Sequence, residues 1–224
     1  MKTIKNLVLA SVALLWMGSQ VPREVSFPTQ DGGRVQADLY EAGGPAVVLA
    51  HGGRFTKESW ASQAQILQEH GFKVLAINFR GRGESRGGPD SQQGEGYHLD
   101  VLAAVHYLRD QGAKSVSVVG GSFGGWAAAG ASAAEPGLID RLVLLAAPAD
   151  HPEQLTGRKL FILARDDVRG EGIPRLPEIK AQFERAPEPK ELVLLEGSAH
   201  AQFLFDTDQG DRLMQEILDF LKKP

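Results

Sequence analysis

The chain has 224 residues, of which 42% are hydrophobic and 23% are charged, proportions that are ordinary for one soluble globular domain with a substantial core. Its formal charge of −4 and the lack of a local cluster of lysines and arginines argue against nucleic acid as a partner. The chain contains no cysteine, which excludes disulfides, thiol catalysis and cysteine-bound metals.

The first 20 residues differ from the rest of the chain. Lys2 and Lys5 precede an apolar run over residues 7–17, and a polar break follows at residues 18–20. This order is typical of a secretory signal peptide, and the run is shorter than the roughly 20 apolar residues that cross a bilayer. A cut after Gly18 would place the bulky Trp16 at the −3 position, which makes a poor cleavage site. An uncleaved membrane anchor and a buried N-terminal helix are therefore the alternatives.

We therefore expect an exported protein, periplasmic or secreted, in which any membrane attachment is confined to the N-terminal segment. Residues 21–224 are predicted to form a single domain, because no repeat, low-complexity run or linker interrupts them.

From residue 22 onwards, strand-like and helix-like segments alternate. Strands are predicted at Arg23–Phe27, Arg34–Glu41, Ala46–Ala50, Lys73–Phe79, Ser115–Val119, Arg141–Ala146, Lys159–Ala164 and Glu191–Leu195. Helices are predicted at Glu58–His70, Gly96–Gln111, Trp126–Ala134, Leu176–Arg185 and Asp208–Leu221. The first two strands flank a turn and form a hairpin, while the later runs are continuously apolar, as in parallel strands covered on both faces. The pattern predicts an α/β sandwich with a mostly parallel sheet.

The pattern G-x-S-x-G occurs twice, once around Ser122 and once around Ser85. Ser122 lies between a β-branched run and an alanine-rich helical stretch, and this strand–turn–helix order exposes a serine hydroxyl on a sharp turn. Ser85 lies in an arginine- and glycine-rich stretch without helical periodicity, and we interpret it as an incidental serine in a surface loop. Ser122 is therefore the predicted nucleophile.

A serine hydroxyl needs a base within hydrogen-bond reach and a carboxylate that orients the base. In an open α/β sheet, such groups come from loops at the carboxyl ends of strands. His200 follows the last predicted strand and is the predicted base. Asp167 follows the seventh predicted strand and is the preferred acid, with Asp166 as the alternative and Asp150 as a third candidate.

The tetrahedral intermediate also requires hydrogen-bond donors for its oxyanion. The backbone N–H of Phe123 follows the nucleophile at a helix N-terminus, and the second donor is expected from the loop after the third strand. Gly53 is preferred there and Arg54 is the alternative. The Arg54 side chain is a candidate contact for a substrate carboxylate, or else a solvated or salt-bridged arginine. For His51, at the start of this loop, the backbone is the expected contribution.

With these motifs, the chain resembles the α/β-hydrolase superfamily from residue 22 to its C-terminus. The resemblance rests on His51-Gly52, the loop over residues 80–85, the Ser122 turn, and the order of serine, aspartate and histidine. It implies an eight-stranded sheet with helices on both faces, hydrolysis through an acyl-enzyme, and no cofactor or metal.

Residues 147–158 are too few for the helical cap that many relatives insert after the sixth strand. The chain is therefore similar to small carboxylesterases and dienelactone-hydrolase-like enzymes, with a shallow, open site. The expected activity is cleavage of small-molecule carboxylic esters with short acyl groups. A serine peptidase acting on short peptides and a catalytically silent ligand-binding protein are the alternatives.

Overall fold

Ten strands and five α-helices make up the computed structural model, which describes residues 21–92 and 94–223. The strands are β1 Arg23–Pro28, β2 Arg34–Tyr40, β3 Ala46–Ala50, β4 Lys73–Ile77, β5 Val116–Gly121, β6 Arg141–Leu145, β7 Arg158–Ala164, β8 Val168–Arg169, β9 Ile173–Pro174 and β10 Lys190–Leu195. The helices are α1 Ala61–Glu69, α2 Tyr97–Asp110, α3 Phe123–Ala134, α4 Leu176–Arg185 and α5 Gly210–Lys222. Short 3₁₀ helices span Lys57–Trp60, Pro152–Gln154, Gly170–Gly172 and Ala201–Asp206.

Eight of the strands form one sheet in the order β1-β2-β4-β3-β5-β6-β7-β10. The β1–β2 and β2–β4 pairs are antiparallel, and every other neighbouring pair is parallel. Every residue of β3 is buried, as expected for a central strand that helices cover on both faces. The predicted eight-stranded, mostly parallel sheet is confirmed. The parallel strands bring the carboxyl ends of β3, β5, β7 and β10 to the same edge of the sheet.

The connection between β6 and β7 contains a single 3₁₀ turn, Pro152–Gln154. It forms no helical layer over the carboxyl edge of the sheet, and the prediction of a fold without a cap is confirmed.

Several predicted boundaries are wrong for local reasons. The predicted helix over 58–70 is a 3₁₀ turn followed by α1, and the buried Lys57 ammonium in that turn pairs with Asp38 of β2 at 2.7 Å. The strand predicted to end at Phe79 ends at Ile77, because the Phe79 N–H donates to the His51 ring instead of a neighbouring strand. The small β8–β9 hairpin is absent from the predicted elements.

The segment interpreted as a signal peptide or anchor, residues 1–20, lies outside the described residues. That interpretation stays a prediction. Within the part of the chain that the structure describes, no helix combines the length and apolar character needed to span a membrane.

Helix α3 approaches the strand ends so closely that side chains are excluded from the contact. A Cβ atom on Gly120 would lie 2.5 Å from the backbone nitrogen of Gly125, and one on Gly124 would lie 2.2 Å from the carbonyl oxygen of Ala50. These glycines allow the first turn of α3 to rest directly on the ends of β5 and β3.

We expect Gly120→Ala to destabilise the fold by about 2–3 kcal/mol or more, because the new methyl group overlaps immovable backbone. Urea unfolding measures this change. Gly43→Ala is the matched control, since a Cβ there meets no atom within 4 Å and should change stability by less than about 0.5 kcal/mol. Equal unfolding midpoints for the two variants would contradict the close contact.

Candidate active site

Ser122 occupies the sharp turn between β5 and α3. Its backbone has φ 48° and ψ −114°, a conformation that non-glycine residues rarely adopt. The turn is held from both sides, because the Ser122 N–H donates to Leu145 O at 2.8 Å and its carbonyl accepts from Trp126 N–H at 3.0 Å. The side chain consequently points away from the sheet edge, into a cavity, as a strand–turn–helix serine is expected to do.

His200 follows β10 and reaches Ser122 across the sheet edge. Its Nε2 lies 2.8 Å from Ser122 Oγ, and its Nδ1 lies 2.7 Å from Asp167 Oδ2. An ionised carboxylate only accepts hydrogen bonds, so Nδ1 carries the proton and Nε2 is free to accept the Ser122 hydroxyl proton. The three side chains form one hydrogen-bonded chain from a buried carboxylate to a half-buried hydroxyl.

The three candidate acids have different surroundings. Asp167 is fully buried and contacts His200, whereas Asp166 is exposed, and Asp150 accepts a hydrogen bond from Trp126 Nε1 at 2.7 Å. The second carboxylate oxygen of Asp167, Oδ1, lies 3.4 Å from Nε of Arg175. This guanidinium supplies a countercharge that offsets part of the cost of burying the carboxylate.

The loop after β3 lies against the first turn of α3. A Cβ built on Gly53 would lie 3.6 Å from Phe123 Cβ, so the two predicted oxyanion donors belong to neighbouring segments. The Gly52 carbonyl accepts from His51 Nδ1 at 2.8 Å and from Phe55 N–H at 3.0 Å. Because C=O and N–H point in opposite directions in a trans peptide, these bonds also fix the direction of the Gly53 N–H.

The alternative donor, the Arg54 N–H, belongs to the peptide whose carbonyl is Gly53 O. Arg82 Nη2 donates to that oxygen at 2.7 Å, so this peptide plane is also held by a side chain. The Gly52 N–H is not available to a ligand, because it donates to Gln202 Oε1 at 2.7 Å.

Ser122 opens into a cavity of about 440 Å³ between the loops. One side is apolar, with the Phe55 and Phe203 rings 5.1 Å apart and Val168 from the β8–β9 hairpin nearby. Arg54 also lines the cavity and is exposed, with no carboxylate within salt-bridge distance among the described residues. Apolar and cationic groups therefore meet beside the Ser122 hydroxyl.

Three features of the site differ from or add to the sequence predictions. Ser85 is not a surface residue; it is buried, and its Oγ accepts from Gln36 N–H at 2.8 Å. His51 contributes its ring as well as its backbone. Gln202 is absent from the sequence predictions, and its position two residues after His200 is the sequence signal that marks it.

The family model for the alpha/beta hydrolase fold matches residues 45–169. Among curated proteins, the chain is 36% identical over 128 residues to a thiohydrolase of Aspergillus aculeatus, an alignment that covers 54% of this chain and 39% of that protein. It is 27% identical to a non-heme chloroperoxidase of Streptomyces lividans, over 81% of this chain and 58% of that protein. The chain thus spans less than two thirds of the length of these relatives.

Solved structures match over more of the chain. A Pyrococcus furiosus esterase superposes with a TM-score of 0.74 at 20% identity, over 90% of each chain. An esterase from Exiguobacterium antarcticum gives a TM-score of 0.73 at 15% identity, over 90% of this chain and all of that one. At these identities the likeness concerns the fold.

The buried His51 ring makes the stability of the fold depend on pH. Burial lowers the pKa of His51 below its ordinary value of 6.5, and the Phe79 N–H needs an unprotonated Nε2 as its acceptor. A lowered folded-state pKa means that the unfolded chain binds the proton more readily, so the fold loses stability as the pH falls below about 6.5.

We expect His51→Asn to be less stable than the wild type at pH 7.5 and to lose less additional stability between pH 7.5 and pH 5.5. Urea unfolding of both proteins at the two pH values measures the difference. An equal or larger loss in the variant would show that His51 is not buried as the neutral ring.

Proposed function

The chain belongs to the alpha/beta hydrolase fold family, and we propose that it is a serine hydrolase that cleaves carboxylic esters. The observation that carries the proposal is the hydrogen-bonded chain from Asp167 through His200 to Ser122, which ends in an accessible cavity. In this proposal Ser122 is the nucleophile, His200 the general base and Asp167 the residue that orients the imidazole.

Acylation begins when Ser122 Oγ attacks the ester carbonyl carbon and its proton passes to His200 Nε2. The resulting imidazolium is stabilised by the Asp167 carboxylate, which accepts the Nδ1 proton at 2.7 Å and stays ionised. The tetrahedral intermediate collapses, the alcohol leaves with the proton from Nε2, and the acyl group remains on Ser122.

The negative charge that develops on the carbonyl oxygen needs preorganised donors. We assign this role to the N–H groups of Phe123 and Gly53. Phe123 is the first residue of α3, where the helix dipole favours negative charge, and the Gly53 peptide is held by His51 and Phe55. Deacylation repeats the sequence with water, from which His200 takes a proton, and releases the carboxylic acid.

The size and the lining of the cavity suit small substrates. It measures about 440 Å³, no cap extends its walls, and its apolar side is formed by Phe55, Phe203 and Val168. We propose that this side accepts a short acyl group and that Arg54 contacts polar or anionic parts of the substrate.

Thioesters are a second candidate substrate class. One relative is named a thiohydrolase, and attack by Ser122 on a thioester carbonyl would use the same base and the same donors. The apolar wall and the triad geometry suit both classes, and we place oxygen esters first because two of the similar solved structures are named esterases.

The assignment of the nucleophile is tested with 4-nitrophenyl butyrate, butyrylthiocholine and butyryl 4-nitroanilide. We expect Ser122→Ala to lower kcat/KM for the ester by at least about a thousandfold, because the variant lacks the hydroxyl that His200 would activate to form the acyl-enzyme. Ser85→Ala is the matched control from the second G-x-S-x-G sequence and should keep the wild-type rate, although loss of the bond to Gln36 will lower its stability.

Full ester hydrolysis by Ser122→Ala would reject the proposal. Faster cleavage of the anilide than of the ester would favour a peptidase, and an inert wild type would favour a silent binding protein.

The acid is tested with a pair of adjacent variants. We expect Asp167→Asn to lower kcat by roughly 10³–10⁴-fold, because the amide no longer stabilises the imidazolium or selects its tautomer. Asp166→Asn should stay within about threefold of wild type, since this side chain is exposed and does not contact His200. Steady-state kinetics on 4-nitrophenyl butyrate separates them, and similar losses in both variants would count against Asp167.

A further inference from the structure

Gln202 is a buried amide that joins the loop of the base to the loop of the oxyanion donor. It is 6% exposed and lies in the first turn of the 3₁₀ helix that follows His200. Its Oε1 accepts from Gly52 N–H at 2.7 Å, and its Nε2 donates to Ser59 Oγ at 2.8 Å. One side chain therefore connects the segment after β10 to two points between β3 and α1, 150 and 143 positions away in sequence.

The orientation of this amide is fixed by its partners. Ser59 Oγ already donates its proton to the Thr56 carbonyl at 2.7 Å, so it can only accept from Gln202. The Gly52 N–H can only donate. Rotating the amide by 180° would therefore set donor against donor at Gly52 and remove the donor from Ser59.

Gln202 also packs against the nucleophile turn. A Cβ on Gly121 would lie 3.2 Å from both Cγ and Oε1 of Gln202, and a Cβ on Gly52 would lie 3.3 Å from Oε1. Glycine at these two positions makes room for the amide. Gln202 thus contacts Gly121, which precedes Ser122, and bonds the N–H of Gly52, which precedes Gly53. It follows His200, the proposed base, by two residues.

We infer that Gln202 is a positioning residue for the oxyanion donors, an inference that rests on the proposed ester hydrolysis. Gly52 is bound at both ends, with its N–H on Gln202 and its carbonyl on His51 and Phe55. The Gly53 N–H belongs to the same peptide group as the Gly52 carbonyl, so these bonds also fix its direction. Without the amide, the Gly52 N–H loses its acceptor and the loop is free to turn the Gly53 N–H away from the developing oxyanion.

The inference is tested with Gln202→Met, which keeps the length of the side chain and removes both hydrogen bonds. We expect kcat/KM for 4-nitrophenyl butyrate to fall between about tenfold and a hundredfold, the range for displaced catalytic geometry. The inhibition constant of an alkyl trifluoromethyl ketone, which forms a tetrahedral oxyanion adduct with a serine, should rise by a similar factor.

Gln202→Glu is the rescue variant. Its carboxyl group, protonated in this buried position, offers an oxygen to the Gly52 N–H and an O–H donor to Ser59 Oγ, so the Ser59 hydroxyl keeps its bond to the Thr56 carbonyl. We expect it to recover most of the lost rate and of the lost affinity for the ketone.

Gln36→Met controls for a merely structural effect. Gln36 is a buried glutamine of β2 whose amide also makes several hydrogen bonds, but it lies outside the site. Its variant should lose stability, measured by urea unfolding, with ketone affinity unchanged.

The inference is overturned if Gln202→Met keeps the wild-type rate, if its ketone affinity is unchanged, or if Gln36→Met loses as much rate and affinity. Failure of the proposed function gives a different result, because the wild type itself would then not hydrolyse the ester.

Discussion

The backbone contact between α3 and the ends of β3 and β5 is the constraint on which the rest of the site depends. It requires glycine at positions 120 and 124, and it gives Ser122 its positive φ of 48°. The same contact brings the N-terminal N–H groups of α3 beside the loop that carries Gly53. This one contact thus exposes the Ser122 hydroxyl and places both proposed backbone donors at the same cavity.

The loops around Ser122 are held by hydrogen bonds from side chains beneath them, and no cap domain covers them. With no cap, the site cannot rely on an added layer to exclude water or fix its geometry. Polar side chains within the loops fix the geometry instead: the buried His51 ring and Gln202 amide hydrogen-bond the carbonyl and the N–H of Gly52, and the half-buried Arg175 faces the Asp167 carboxylate. Each of these side chains provides a partner for a polar or charged group that would be costly to bury alone.

Features that depend on local pattern and chain order could be predicted from the sequence. Continuous apolar runs located the strands, and the strand–turn–helix order singled out Ser122, because these signals lie within a few neighbouring residues. The partnership of Gly52 and Gln202 spans 150 positions, and nothing local marks either residue for it. The surface position predicted for Ser85 is wrong for the same reason, because the Gln36 N–H of β2 that bonds its hydroxyl lies 49 positions away.

The position of β10 at the edge of the sheet has a consequence for the order of assembly. The strand pairs with β7 alone in the described sheet, and His200 follows it directly. Because β10 is the last strand in chain order, Ser122 and Asp167 leave the ribosome before His200 does. A chain truncated before β10 would therefore keep the Ser122 hydroxyl and lack the histidine that the proposed mechanism uses as its base.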